Sequence, residues 1–446
     1  MVRKLSRVVL SILPAFVTLS APFAKCAPPN DIRGVYEITS IDPKTADDGD
    51  LAPLSTIVGS ATIVGLGEQA HYTLSYPEAR ARVIRYMVEK LGFRTLFIES
   101  AIFMALTATN YVQTCEGTPE DAMKSFDNAF WNTSTIWLLK WLCTYNQAHP
   151  NDPVRFYGMD MTESRQKEDV LNAFLKKGAP LDAARFADEL KSCPKDSDQN
   201  PYGDPSSNDQ AIACAKAALD IQNYLIQNRQ QLVKAFNEKA WHWALLAAEN
   251  LLNDMALTRT TPDGYAQRDW RMAKNVEEMQ AFLSLGKVMI WAHSYHLMKD
   301  RLEGKSLDPT DGPNSKSMGA ELKNFYGDNY RLITFNSKIS RYTDIYDNLP
   351  NQAAMAPEFP NFEPSVEGRV SGLGKDIVLV DIKNSTLFSD DGKYLTRVLY
   401  SFWSDLNPLH QYDGIFFMQE SQASMMSCGG PPDWGCPGNP TTPIPF

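Results

Sequence analysis

Three of the six histidines in this 446-residue chain stand just beyond two short apolar runs, and acidic residues stand at the ends of others. The run Ala61 to Leu66 leads into Gly67-Glu-Gln-Ala-His71, and Val288 to Trp291 leads into Ala292-His-Ser-Tyr-His296. Thr95 to Ile98 ends on Glu99, and Val154 to Tyr157 ends on Gly158-Met-Asp160. Imidazoles flanked by carboxylates can activate water as general bases, and a nearby guanidinium such as Arg80 can stabilise a developing oxyanion. Glu68, His71, Arg80, Glu99, His293 and His296 are therefore the candidate catalytic residues. Asp160 fits a helix cap as well as a substrate contact. His149, His242 and His410 follow no strand end and read as structural or surface residues.

The elements that must position these groups follow from the pattern of the runs. Further runs at Arg331 to Phe335, Ile377 to Val380 and Ile415 to Met418 alternate with helical patterns, which indicates an α/β fold with a mainly parallel central sheet flanked by helices. In such sheets ligands bind outside the carboxyl ends of the strands, where the histidines and carboxylates collect. Asn336, Asp381 and Glu420 reach the same edge if the later strands are parallel. The helix after the first strand is expected to start with a capping box, Ser75-Tyr-Pro-Glu78, and to end at Gly92. Ala79, Val83, Met87 and Leu91 form its apolar stripe. Arg80 lies on the margin of that stripe and needs a carboxylate, for which Glu99 is the candidate partner.

The stretch between the third and fourth strands is too long for one crossover helix and reads as a large helical insertion. The expected organisation is a leader at 1–26, a first part of the core at 27–162, the insertion at 163–285, a second part of the core at 286–426 and a Pro/Gly-rich tail at 427–446. Helical patterns run from Leu225 to Leu252 and from Arg268 to Leu285, with loops at Pro194 to Asp209 and Asp308 to Ser317.

Composition narrows the possibilities. A formal charge of -10 with no long Lys/Arg run argues against a nucleic-acid partner. Arg3, Lys4 and Arg7 precede the apolar run Val8 to Phe23, and small residues follow, the pattern of a secretory signal peptide rather than of stable membrane insertion. Lys25 argues against lipidation at Cys26. The six later cysteines suit an oxidising compartment, periplasmic or secreted, and proximity suggests Cys115 with Cys143, Cys193 with Cys214 and Cys428 with Cys436. No G-x-S-x-G elbow, dinucleotide fingerprint, Walker A segment or H-E-x-x-H motif occurs.

The segments Gly65-Leu-Gly-Glu-Gln-Ala-His71, Glu78-Ala-Arg80, Gly92-Phe-Arg-Thr-Leu-Phe-Ile-Glu99, Phe156-Tyr-Gly-Met-Asp160, Arg268-Asp-Trp-Arg-Met-Ala-Lys-Asn275, Val288-Met-Ile-Trp-Ala-His-Ser-Tyr-His296 and Met318-Gly319 resemble the erythromycin esterase-like hydrolases, which open macrolide lactones. The resemblance implies a cleft lined by Glu68, His71, Arg80, Glu99, His293 and His296, and a small-molecule ester or lactone as substrate. Gln69-Ala70, Tyr72-Thr73 and Ser294-Tyr295 depart from the family's spacers. Spacers line the substrate mouth, so Tyr72 and Tyr295 join Asp160 as expected substrate contacts.

The expectation is metal-free hydrolysis without a cofactor. In it His71 deprotonates water, Glu68 or Glu99 orients the imidazole, and Arg80 with His293 or His296 stabilises the oxyanion. A second reading places a metal among His71, His293, His296 and a Glu, against which Arg80 would repel a cation. A third is a non-catalytic periplasmic ligand-binding protein using the same cleft.

Overall fold

Side chains alternate across the apolar runs, and this alternation builds a layer on each side of the sheet. The computed structural model describes residues 32–162, 165–193, 208–256, 262–300, 316–343, 353–355, 363–399, 402–424 and 445. The leader at 1–26 with Cys26, the pair Cys428 with Cys436, the tail from Ser427 apart from Pro445, and most of both expected loops lie outside the described residues.

Every apolar run becomes a strand. The strands are β1 (Val35–Glu37), β2 (Ile63–Glu68), β3 (Thr95–Ala101), β4 (Arg155–Asp160), β5 (Val288–His293), β6 (Tyr330–Thr343), β7 (Ala353–Met355), β8 (Ile377–Asp381), β9 (Tyr394–Leu399), β10 (Phe402–Leu406) and β11 (Gly414–Ser421). On β2, β3 and β5, Ile63, Phe97 and Ile290 face one core while Val64, Leu96, Ile98 and Trp291 face another. A strand buried on both faces is what a parallel sheet requires. Full burial of each such side chain contributes roughly 1.5–3 kcal/mol.

The sheet order is β1-β8-β11-β6-β2-β5-β3-β4, with β7 against the far end of β6. The strands from β11 to β4 run parallel, whereas β8 is antiparallel to β11 and β1 to β8. The reversal of β8 corrects one expectation. Asp381 pairs with Gly414 at the start of β11, at the edge opposite the histidines, where its carboxylate accepts from Asn384 Nδ2 at 2.8 Å. Asn336 instead holds Glu367 at 3.1 Å, and Glu420 forms an exposed pair with Arg341.

Helices Ser75–Leu91 and Thr133–Ala148 cover one face. Gly92, at φ +74°, ends the first of them as expected. The capping box does not form: the cap position falls on Leu74, and the Ser75 hydroxyl accepts instead from Gln422 N at 2.9 Å. The side chain that should cap the helix is thus used to tie it to the end of β11.

Helices Arg165–Gly178, Asn208–Gln227, Glu238–Ala256 and Pro262–Phe282 pack on the other face and share its core. The pattern from Leu225 to Leu252 is broken at Asn228 and again near Asn237, whose carboxamide caps a new helix by accepting from Ala240 N at 2.8 Å. Disulfides join Cys115 to Cys143 and Cys193 to Cys214, as proximity suggested. Among the described residues no helix is long and apolar enough to cross a membrane.

Candidate active site

The sheet places Glu68 beside His293, the last residues of the adjacent strands β2 and β5. Gly67 makes this approach possible, because a Cβ there would lie 2.6 Å from Ser294 Oγ. The glycine serves the close passage of β5's continuation. Beyond Glu68 the chain bends back, so that His71 Nδ1 lies 2.8 Å from Glu68 Oε1. The other oxygen, Oε2, accepts from Arg80 Nη1 at 2.9 Å.

Arg80 is therefore the partner of Glu68, which corrects the expected pairing with Glu99. It is fully buried, with its guanidinium 4.5 Å from the Trp291 ring centroid and 5.0 Å from that of Phe335. A cation enclosed in this way stands behind the Glu68 carboxylate as its ion-pair partner.

Glu99, at the carboxyl edge on β3, organises the other half of the cluster. Its Oε2 accepts from the His293 backbone N–H at 2.8 Å. Its Oε1 lies 3.1 Å from His296 Nε2 and 3.3 Å from Arg268 Nη2. His296 is held from its other side by Asp269, with Nδ1 to Oδ1 at 2.6 Å, while Asp269 Oδ2 takes Met318 N–H at 3.0 Å. Arg268 also grips Asp160 Oδ2 through Nε at 3.0 Å and Nη2 at 2.6 Å.

Three histidines in one cluster are driven to different protonation states. Burial pushes the His71 imidazole down, but the hydrogen bond and charge of Glu68, with Glu99 and Asp127, outweigh it and raise its pKa. Burial and the charge of His71 hold His293 well below its ordinary value. Burial opposes protonation of His296 too, yet Asp269 and Glu99 lift it to about 9. Glu99 is kept well below the usual carboxylate range: burial works against this, and His296, His71 and Arg268 overcome it. Near neutral pH the cluster thus holds an imidazolium at His296 and a neutral ring at His293.

The hydrogen bonds also assign tautomers. His71 donates Nδ1–H to Glu68, leaving the lone pair of the neutral ring on Nε2. His293 Nδ1 accepts from Tyr295 N at 3.1 Å, so its proton sits on Nε2. The two rings are 5.0 Å apart, nearly perpendicular. The His71 side chain is 17% exposed and that of Arg268 22%, against 1% for Glu68, so the first two are the members a ligand can reach.

The flanking expectations fare unevenly. Asp160 serves Arg268 and its Oδ1 also accepts from Thr162 N. Tyr72 adopts φ +57° directly after His71 and donates to Asn128 Oδ1 at 3.1 Å. Tyr295 is partly buried and packs on the core. His149 stacks on Tyr145 and His242 on Phe282, away from the cluster. Arg268 and Asp269 were missed as site residues, although they open the Arg268-Asp-Trp-Arg segment. Their signal was two adjacent charges inside the long helix Pro262–Phe282. Among the described residues no three His, Cys, Asp or Glu side chains are grouped to hold a metal ion.

This arrangement can be set beside known proteins. Erythromycin esterase type II of Escherichia coli is 22% identical over 414 residues, covering 84% of this chain and 93% of that protein. A Bacillus cereus protein superposes with a TM-score of 0.74 at 21% identity, covering 88% of this chain and 96% of its own. A mutant erythromycin esterase in its open conformation gives a TM-score of 0.71 at 20% identity, over 87% and 98%. The family model described as erythromycin esterase matches residues 88–421, a span that contains Glu99, Asp160, Arg268, His293 and His296 and begins after His71. Matched over well more than half its length, the chain belongs to the erythromycin esterase family of hydrolases.

Proposed function

We propose that the protein hydrolyses a carboxylic ester or lactone, with His71 as the general base that activates water. The observation that carries this reading is the Glu68–His71 pair: a partly exposed imidazole whose Nδ1–H is fixed by a buried carboxylate at 2.8 Å. Glu68 selects the tautomer and raises the basicity of Nε2, and Arg80 Nη1 donates to its other oxygen at 2.9 Å. Water loses a proton to His71 Nε2 as its oxygen bonds to the carbonyl carbon. The carbonyl oxygen becomes an oxyanion beside the Arg268 guanidinium, which is 22% exposed. Collapse expels the alkoxide, which takes the proton back from His71.

Glu99 and His296 have both ends occupied and act as the charged frame that orients Arg268 and His293. Arg268 replaces Arg80 in the oxyanion role expected from the sequence, because Arg80 is enclosed. The proposed reaction uses no metal. Turnover abolished by exhaustive chelation and restored by one added metal overturns that choice.

The substrate is a small molecule, with macrolides among the candidates because of the name of the Escherichia coli relative. The site of action is the periplasm or the exterior, and any part in antibiotic resistance depends on a macrolide being the substrate. The leader pattern at residues 1–26 supports export, as do two disulfides. The deciding experiment incubates the mature protein with macrolides, simpler lactones and generic esters and follows products by mass spectrometry. Gain of one water, abolished in His71→Ala, is the expected result. Binding without turnover across the panel favours the ligand-binding protein.

A further inference from the structure

Behind the proposed base lies a second buried polar cluster that the mechanism above does not use. Its centre is Glu367, fully buried in the short helix Val366–Ser371. A single oxygen, Oε1, accepts from Gln69 Nε2 at 2.5 Å, Asn336 Nδ2 at 3.1 Å, Thr396 Oγ1 at 2.8 Å and Arg397 N at 3.2 Å. The other oxygen has no hydrogen-bond partner among the described residues. Four donors converging on one atom make a fixed point, not a solvated charge.

Gln69 is the link between this point and the chemistry. It lies between Glu68 and His71, and its carboxamide is completely used. Nε2 donates to Glu367 and to Arg397 O at 2.8 Å, while Oε1 accepts from Ser337 N at 3.2 Å and from Tyr76 O–H at 3.5 Å. Its backbone carbonyl also raises the His293 imidazole. The residue that separates base from carboxylate is thereby anchored to β6, to β9 and to the helix of Glu367. On the far side of His71 the chain is held as well, by Leu74 N to Gln422 O at 2.8 Å and Ser424 N to Tyr72 O at 2.9 Å.

We infer that Glu367, acting through Gln69, is a positioning residue that sets the Glu68–His71 hydrogen bond. The inference rests on the reading of His71 as the base. A carboxylate three residues from an imidazole stays at 2.8 Å only if the intervening backbone cannot rotate, and Gln69 is the residue whose side chain prevents that rotation. Displacing reacting groups by a fraction of an ångström costs rate out of proportion to any loss of stability.

The test compares Glu367→Ala with Glu367→Gln in the full mature chain. Glutamine keeps an acceptor oxygen at the Oε1 position and places its amide where Oε2 has no partner. Two readouts are taken: kcat and KM on the best substrate, and the His71 pKa by NMR titration of the ring. The groups that act on that titration are Glu68, Glu99 and Asp127, together with the neighbouring His293.

The expected result for Glu367→Ala is kcat lower by about tenfold or more with KM nearly unchanged. With the Glu68 hydrogen bond loosened, the His71 pKa falls towards its ordinary value. Glu367→Gln restores both. An unchanged His71 titration in Glu367→Ala, or equal damage from Ala and Gln, overturns the inference. If Glu367→Ala does not fold, Gln69→Met cuts the same link while keeping side-chain volume, and the same shift in His71 is required of it. The NMR arm separates the two claims: absence of turnover defeats the hydrolytic reading, whereas a fixed His71 pKa defeats the positioning role.

Discussion

Glu68 and His71 are joined at 2.8 Å across three residues of chain, with the carboxylate 1% exposed and the imidazole 17%. The pair therefore has a closed end and an open end. Replacing His71 with Ala removes only the open end. Its expected effect is a fall in kcat of at least about 100-fold, the scale of acid–base contributions. Stability changes by less than about 1 kcal/mol, because Glu68 keeps Arg80 and the ring is partly solvated. Urea denaturation alongside steady-state kinetics checks both. Near-normal turnover, or loss of activity by unfolding alone, moves the base role to another residue.

Arg80→Ala is expected to behave in the opposite way. The arginine is fully buried and is the cation paired with Glu68 Oε2 at 2.9 Å. Its removal leaves a buried carboxylate with His71 as its remaining titratable partner, a loss of roughly 3–5 kcal/mol. Lysine cannot restore it, since it lacks the planar group that packs over Trp291 and Phe335. The denaturation midpoint reports the result. A variant of wild-type stability would show that the Arg80–Glu68 pair contributes little to the fold.

Much of this site was legible in the sequence because strand ends in a parallel sheet are a one-dimensional signal. Short apolar runs gave β2, β3, β4 and β5, and with them Glu68, Glu99, Asp160 and His293 at one edge. What failed needed information that such runs do not carry. The run Ile377 to Val380 looks the same in either direction, so the reversal of β8 that removes Asp381 was invisible. The partner of Arg80 depended on which carboxylate turns towards helix Ser75–Leu91, and Glu68 and Glu99 were equal by position. Arg268 and Asp269 reach the cluster from a helix far along the chain. β9 escaped notice because Arg397, buried within it, disguises its pattern.

The cysteines give a prediction independent of catalysis. Cys115–Cys143 and Cys193–Cys214 close loops of 28 and 21 residues. Loops of that length contribute about 3 kcal/mol each through the unfolded state. Reduction is expected to lower the thermal midpoint of the protein substantially. Thiol titration in denaturant before reduction should find no free thiol among the six cysteines after residue 26, including Cys428 and Cys436. Two or more reactive thiols overturn the pairing.

The last prediction concerns pH, where the histidines act with opposite signs. His71 works as a base only when neutral, and its pKa is raised, so kcat/KM should rise as pH increases through a value above the ordinary 6.5 of histidine. His296 is needed as the imidazolium that holds Glu99, and its pKa is about 9, so activity should fall again as pH passes that value. The profile is a bell on the alkaline side of neutrality. Stability follows His296 and its partner Glu99. A raised folded pKa at His296 contributes stability that is complete below 6.5 and is lost as pH rises through about 9. A depressed pKa at Glu99 contributes stability that is present above its ordinary 4.5 and is lost as pH falls through the lower folded value. Replacing His296 with Gln removes the alkaline limb of kcat/KM while leaving its acidic limb, which belongs to His71. Rate and denaturation profiles measured from acid to alkaline pH test this directly. An alkaline limb that survives in His296→Gln assigns that limb to a different group.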